Sequence, residues 1–321
     1  MKKLLLCSLF LSTNAFAIVG GTDVIESEYS QFLKNGGCSG AIIAGKYILT
    51  AAHCDKSSDT FITHPDYQVT PGHDVALAKS NVTHAIDAVS FLSDVPVIAN
   101  DLVSMYGWST NSLKRANLLT RSPREHIPKP LYLKFDNNGH AEVGDSGAPV
   151  LLDNKIVAVQ SGIDVGSGED YGAITSRIEY SRDFILNTIN DWHSPTELKF
   201  TGAQTIEIQS LHVNPTNLAD RWNANSLTTG DVTVTGGTCV TDTIAPFGTC
   251  TLDITAGAQS GAIKLTDDNI VTINRAAVVE PDTGGSTDKD NNNNGGGGGG
   301  SLGWLTLLAL SIFAARRYKN V

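Results

Sequence analysis

Residues Gly144-Asp145-Ser146-Gly147-Ala148-Pro149 stand between a glycine-bearing loop and the apolar run Val150-Leu151-Leu152, and this junction constrains the chain more than any other stretch. A hydroxyl is a weak nucleophile at neutral pH. A serine in such a turn therefore asks for a base to take its proton, a group that orients the base, and donors for an oxyanion. Upstream histidines and aspartates can fill those places. The net charge of -10, with no lysine or arginine run in the body of the chain, argues against a nucleic-acid surface, which needs a basic patch to release counterions.

Met1-Lys2-Lys3, the apolar run Leu4 to Leu11 and the small-residue site Ala15-Phe16-Ala17 have the three regions of a secretory signal peptide over residues 1–17. Export places the chain in an oxidising compartment. Cys7 leaves with the signal, and Cys38, Cys54, Cys239 and Cys250 remain, even in number as two disulfides require. Zinc is the alternative partner for these thiols, but no pair has close C-x-x-C spacing.

Cleavage after Ala17 exposes Ile18-Val19-Gly20-Gly21 as a new N-terminus. Further on, Gly36-Gly37-Cys38-Ser39-Gly40 runs into Ala41-Ile42-Ile43, and Tyr47-Ile48-Leu49-Thr50-Ala51-Ala52-His53-Cys54 follows. With the Gly144–Pro149 segment, these motifs resemble the trypsin-like serine peptidases. The resemblance implies an all-β fold over residues 18–194, a double six-stranded β-barrel of chymotrypsin type closed by a C-terminal helix.

It also implies roles. Ser146 is the nucleophile, His53 the base, and Asp74, in His73-Asp74-Val75-Ala76-Leu77-Ala78-Lys79, the group that orients it. Asp66, in His64-Pro65-Asp66-Tyr67, is the alternative orienting residue and is placed in a turn. The amides of Gly144 and Ser146 form the oxyanion hole, a freed Ile18 ammonium pairs with Asp145, and Cys38 bonds Cys54. The interval from His53 to His64 is too short for the calcium loop of larger relatives, so neither a metal nor another cofactor is expected.

The specificity pocket is walled by His140, Ser161, Gly162 and Gly172. Trypsins carry an aspartate six residues before the serine, where this chain has His140, and Glu142 replaces a flanking cysteine. Cleavage after basic residues is not implied. His140 either favours acidic or aromatic side chains or closes a loop through local hydrogen bonds.

Ser104 to Ser109 and Tyr171 to Thr175 match strands of the family, and Tyr180 to Trp192 reads as the terminal helix, stopped by His193-Ser194-Pro195. From 195 to 280, runs such as Thr205-Ile206-Glu207-Ile208-Gln209 alternate with period two, which predicts an immunoglobulin-like β-sandwich with Cys239 and Cys250 as a local staple. That domain is either a binding module or a spacer. Residues 281–301 are a Gly/Asn-rich linker. Residues 302–321, a short hydrophobic segment ending in a basic tail, resemble the GlyGly-CTERM sorting signal of Gram-negative bacteria.

The tail implies export across the inner membrane and periplasm by type II secretion machinery, and trimming by a rhomboid-type peptidase after signal peptidase has acted. A retained membrane anchor is the alternative. The expectation is therefore a secreted or surface-attached serine endopeptidase acting on proteins or peptides. The competing expectations are a surface adhesin built on an inactive protease-like scaffold and an esterase using the same residues.

Overall fold

The computed structural model describes residues 18–54, 60–68, 72–108, 112–122, 130–135, 139–165 and 171–276. The expected signal peptide, the linker and the sorting tail lie outside the described residues. Among the described residues, no helix is long and apolar enough to cross a membrane.

The N-terminal part forms an antiparallel sheet in the order Phe32–Asn35, Cys38–Ile43, Tyr47–Thr50, Ala76–Lys79 and Phe61–Thr63. Five strands are present among the described residues, one fewer than the expected six. Ile43, Leu49 and Leu77 are wholly buried and form the core of this sheet. The disulfide Cys38–Cys54 joins its second strand to the 3-10 turn Ala52–Cys54 that carries His53. Closing a loop of this size stabilises the fold by roughly 3 kcal/mol in the chain-entropy view.

The second part closes on itself. Its strands run Lys114–Arg121, Leu102–Gly107, Pro149–Leu152, Lys155–Val165, Tyr171–Arg177 and Leu131–Lys134, and the last pairs back onto the first. This is a closed six-stranded barrel, as expected, and closure removes the free sheet edges that would otherwise need covering. The short strand Thr22–Asp23 adds to its rim at Lys114 and Arg115, which brings the N-terminal segment to the second barrel.

The helix runs Ile178–Ile189, with Ile178, Ile185, Leu186 and Ile189 on its buried face, the spacing of an amphipathic helix. It ends earlier than the predicted Trp192. Asn190 adopts the left-handed conformation at φ 44° and its N–H returns to the Leu186 carbonyl, a common helix stop. Trp192–His193 is instead a strand, paired with Gln209 and Ser210.

The remaining residues form strands, as the period-two runs predict, around a core of their own. Their strands form one hydrogen-bonded six-stranded sheet, because the long strand Thr249–Lys264 pairs with Gly202–Ser210 along its first half and with Ile270–Ile273 along its second. Thr228–Gly236 follows it on the other edge, with a register shift where the partner changes. Cys239, in the one-turn helix Thr238–Thr241, is bonded to Cys250 on the long strand.

Buried polar side chains dock this sheet onto the N-terminal part. Gln209 accepts from the Leu92 amide at 2.9 Å and donates to the Leu92 carbonyl at 2.7 Å. It thereby satisfies the 92 backbone as a neighbouring strand would. Thr196 Oγ1 accepts from the Ile86 amide at 3.0 Å. The His193 ring, wholly buried, accepts from the Ala44 amide at Nδ1 (3.1 Å) and donates from Nε2 to the Ser90 carbonyl (3.2 Å). The stretch 84–93, which leads from the first sheet to the second barrel, is thus held from outside.

Candidate active site

His53 sits in the 3-10 turn after Tyr47–Thr50, on the rim of the first sheet, with its side chain 37% exposed. Asp74 lies two residues before Ala76, where the strand that pairs with Tyr47–Thr50 begins. Neighbouring strand ends therefore bring the two together. His53 Nδ1 lies 2.6 Å from Asp74 Oδ2, and the His53 amide donates to Oδ1 at 2.9 Å. With Nδ1–H facing the carboxylate, the neutral ring keeps Nε2 as its acceptor.

The second barrel fixes Asp74 from the other side. Ser161 Oγ donates to Oδ2 at 2.5 Å, and the Asp74 amide donates to Ser176 Oγ at 3.0 Å. Burial pushes the Asp74 carboxyl upward, but the hydrogen bonds from His53 and Ser161 and the His53 charge outweigh it and hold its pKa below the usual aspartate value. The hydrogen bond to Asp74 raises His53, against burial, which lowers it, and with the help of the carboxylate charge. The two shifts share one cause, a carboxylate and an imidazole that stabilise each other's charged forms.

Ser146 is half-buried in the turn between two second-barrel segments. The turn is pinned by the Gly147 amide on the Gln160 carbonyl (2.8 Å) and the Ala148 amide on the Asp145 carbonyl (2.8 Å). Gly147 has φ 84°, and a Cβ there would overlap Thr50 Oγ1 and the Ser39 carbonyl. Only glycine lets the turn lie this close to the segment that leads to His53.

The Ile18 nitrogen donates to Asp145 Oδ2 at 3.2 Å, and the Glu142 amide donates to the same oxygen at 2.9 Å. Ile18 has φ 23°. A β-branched residue avoids positive φ inside a chain, whereas a residue with a free ammonium group has no φ to strain.

The pocket candidates divide. Ser161 points its hydroxyl at Asp74, and Gly162 follows a register shift and accepts from Gln160 Nε2 at 2.8 Å through its carbonyl. Gly172 pairs with Asp164 and Lys134 across the barrel. The His140 amide donates to the Val19 carbonyl at 3.0 Å, and its ring faces Phe135 and Glu142, with Nε2 3.3 Å from Oε1. Local hydrogen bonds and the N-terminal segment thus engage His140.

Asp66 is not beside His53; its amide donates to His64 Nδ1 at 3.1 Å. His64, Asp66 and His73 each place one potential metal-ligand atom within 4.8 Å of the others. Sequence reasoning missed two features. One is the Arg121–Asp164 ion pair at 3.2 Å, next to Gly172. The other is Ser39, whose only sequence signal is its place beside Cys38.

Among protein families, the model described as Trypsin matches residues 18–185. Granzyme C of Mus musculus is 29% identical over 153 residues, which span 44% of this chain and 55% of the granzyme. Trypsin of Simulium vittatum is 26% identical over 202 residues, 45% of this chain and 81% of that protein. The chain therefore spans little more than half of the granzyme's length. Solved structures that resemble it include a kallikrein-related peptidase 10 complex with Zn2+, at TM-score 0.45 and 21% identity over 52% of this chain and 98% of that one. Neuropsin, a serine protease expressed in the limbic system of mouse brain, aligns at TM-score 0.47 and 18% identity over 53% of this chain and 98% of that one.

Proposed function

The chain belongs to the trypsin family, and from that membership we propose that it is a serine endopeptidase that cleaves peptide bonds through an acyl-enzyme on Ser146. His53 Nε2 takes the Ser146 proton as Oγ attacks the scissile carbonyl, and returns it to the leaving amine. Asp74 holds the ring in the tautomer this requires and stabilises the imidazolium that forms. The amides of Gly144 and Ser146 receive the oxyanion, a contribution worth about 3 kcal/mol per donor in comparable sites. Water then releases the acyl group by the same steps in reverse.

The observation that carries this reading is the His53–Asp74 pair, fastened from the second barrel by Ser161. A scaffold kept only for adhesion has no use for a carboxylate held at an imidazole in this way. Reaction with a fluorophosphonate probe tests the proposal: labelling should require Ser146 and disappear in Ser146→Ala.

We further propose that signal cleavage after Ala17 alone generates the active N-terminus, the Ile18 ammonium replacing the amide at Asp145. The positive φ of Ile18 supports this, since cleavage removes the strained linkage. The two disulfides fit an oxidising compartment. The sequence of residues 281–321 supports export and sorting by a GlyGly-CTERM route, with removal of the tail before release. Mass spectrometry of released protein tests that route, and an intact Val321 would exclude it.

The substrate is a protein or peptide. With His140 in place of the pocket aspartate, and Asp164 already neutralised by Arg121, lysine and arginine are not the preferred side chains. The accessory sheet, first expected as an immunoglobulin-like module, is assigned the part of a brace for the peptidase, on the strength of its buried polar contacts with residues 84–93.

A further inference from the structure

Ser39 lies in the strand Cys38–Ile43 of the first sheet, wholly buried where that sheet meets the second barrel. Its backbone amide donates to the Ser146 carbonyl at 2.7 Å. Its hydroxyl donates to the Gly144 carbonyl at 3.1 Å and accepts from the Trp108 amide at 2.8 Å. Its own carbonyl accepts from Thr50 Oγ1 at 2.8 Å. One residue therefore joins the turn at Ser146 and the Gly107-Trp108 strand end through its hydroxyl, and the segment leading to His53 through its carbonyl.

Peptide units are rigid planes, so the orientation of an amide is set by what holds the carbonyls around it. Three planes make up the turn at Ser146. The Gly144 carbonyl belongs to the first and is held by Ser39 Oγ; the Ser146 carbonyl belongs to the third and is held by the Ser39 amide. The middle plane carries the Asp145 carbonyl, tied inward to the Ala148 amide, and on its opposite side the Ser146 N–H. In a trans peptide the N–H points away from the carbonyl, so the Ser146 amide is aimed out of the turn. It stays aimed only while the flanking planes cannot counter-rotate.

We propose that Ser39 is a positioning residue of the reaction: by gripping the carbonyls on both sides of Asp145-Ser146, it keeps the Ser146 amide directed at the substrate's developing oxyanion. This rests on the serine-peptidase reading above. The hydroxyl does not touch substrate, so its contribution lies in the transition state and not in substrate affinity. Its loss also removes the acceptor of the Trp108 N–H. Donors to a developing oxyanion act only when rigidly placed, which is why a hydroxyl remote from the scissile bond matters.

The test is the reaction of the secreted protein, with a free Ile18 end, towards a fluorophosphonate, resolved into the maximal inactivation rate and the half-saturating concentration. Ser39→Ala should lower the maximal rate by about 10- to 100-fold while leaving half-saturation close to wild type. Ser39→Gly, which keeps the backbone hydrogen bond from residue 39 to the Ser146 carbonyl and leaves room for a water in the hydroxyl's place, is the companion variant should the alanine protein not fold. It should lose less. A folded variant with an unchanged maximal rate, or one in which half-saturation worsens as much as the rate, would overturn the role of Ser39 alone. A wild type that does not react would overturn the peptidase reading and this role together.

Discussion

The main-chain nitrogen of Ile18 lies 3.2 Å from Asp145 Oδ2, and both residues are wholly buried. Asp145 directly precedes Ser146, so a shift of its carboxylate is felt in the turn that carries that serine. Removing one partner of a buried ion pair typically costs about 3–5 kcal/mol, because the other charge is left uncompensated. A protein that keeps one extra residue ahead of Ile18, or carries Asp145→Asn, should therefore lose roughly two to four orders of magnitude in turnover. Kinetics on N-terminally sequenced protein check this, and wild-type turnover in the extended form would contradict it.

Gly107 supplies an independent approach to the same pair. A Cβ at that position would overlap Asp145 Oδ1 and crowd Ile18. Asp145 has no exposed surface into which to retreat. Gly107→Ala should weaken activity far more than it weakens secretion or disulfide formation, which activity per folded molecule will show.

The acid limb of the activity profile should belong to His53. As a base the ring must be neutral, so activity falls as pH drops through its pKa. The Asp74 hydrogen bond raises that pKa, so the midpoint should lie above that of an ordinary imidazole. Asp74→Asn removes the cause: the midpoint should move to lower pH, and turnover should fall by about 10^3- to 10^4-fold as the favoured tautomer is lost. A pH-rate profile whose midpoint does not move would contradict the assignment of Asp74.

Stability should fall in mild acid through a different histidine. Burial lowers the His193 pKa to about 4 from 6.5. Between those values the unfolded chain binds a proton that the folded chain refuses, so stability rises with pH there and is lost as pH falls from 6.5 towards 4. The full effect is about 3 kcal/mol. Melting temperatures across that window should drop in wild type and drop less in His193→Asn, although that variant begins less stable.

The parts of the structure that were legible in the sequence are those fixed by short-range chemistry. His53 beside Cys54, Asp74 ahead of an apolar strand, and Ser146 between glycines stand in short motifs that resemble those of the trypsin-like peptidases, and that resemblance, not residue type alone, singled them out. The hydroxyls of Ser39 and Ser161 were not legible, because a serine's partner depends on which strands meet and not on its neighbours in the chain. Ser161 is a pocket candidate in the sequence, and nothing there shows that its hydroxyl also holds Asp74. Trp192 continued the helical spacing, yet Asn190 turned the chain first and made it a strand residue of the accessory sheet. Alternation revealed the strands beyond 200 but not their order, since period two says which face is buried and nothing about the partner.

The assignment of Ser146 as nucleophile is tested most directly by treating mature protein that begins at Ile18 with a fluorophosphonate and locating the adduct by peptide mass mapping. The adduct should sit on Ser146, vanish in Ser146→Ala and be strongly reduced in Asp74→Asn. A folded, correctly processed protein that takes up no probe, or carries it on another residue, would contradict the assignment.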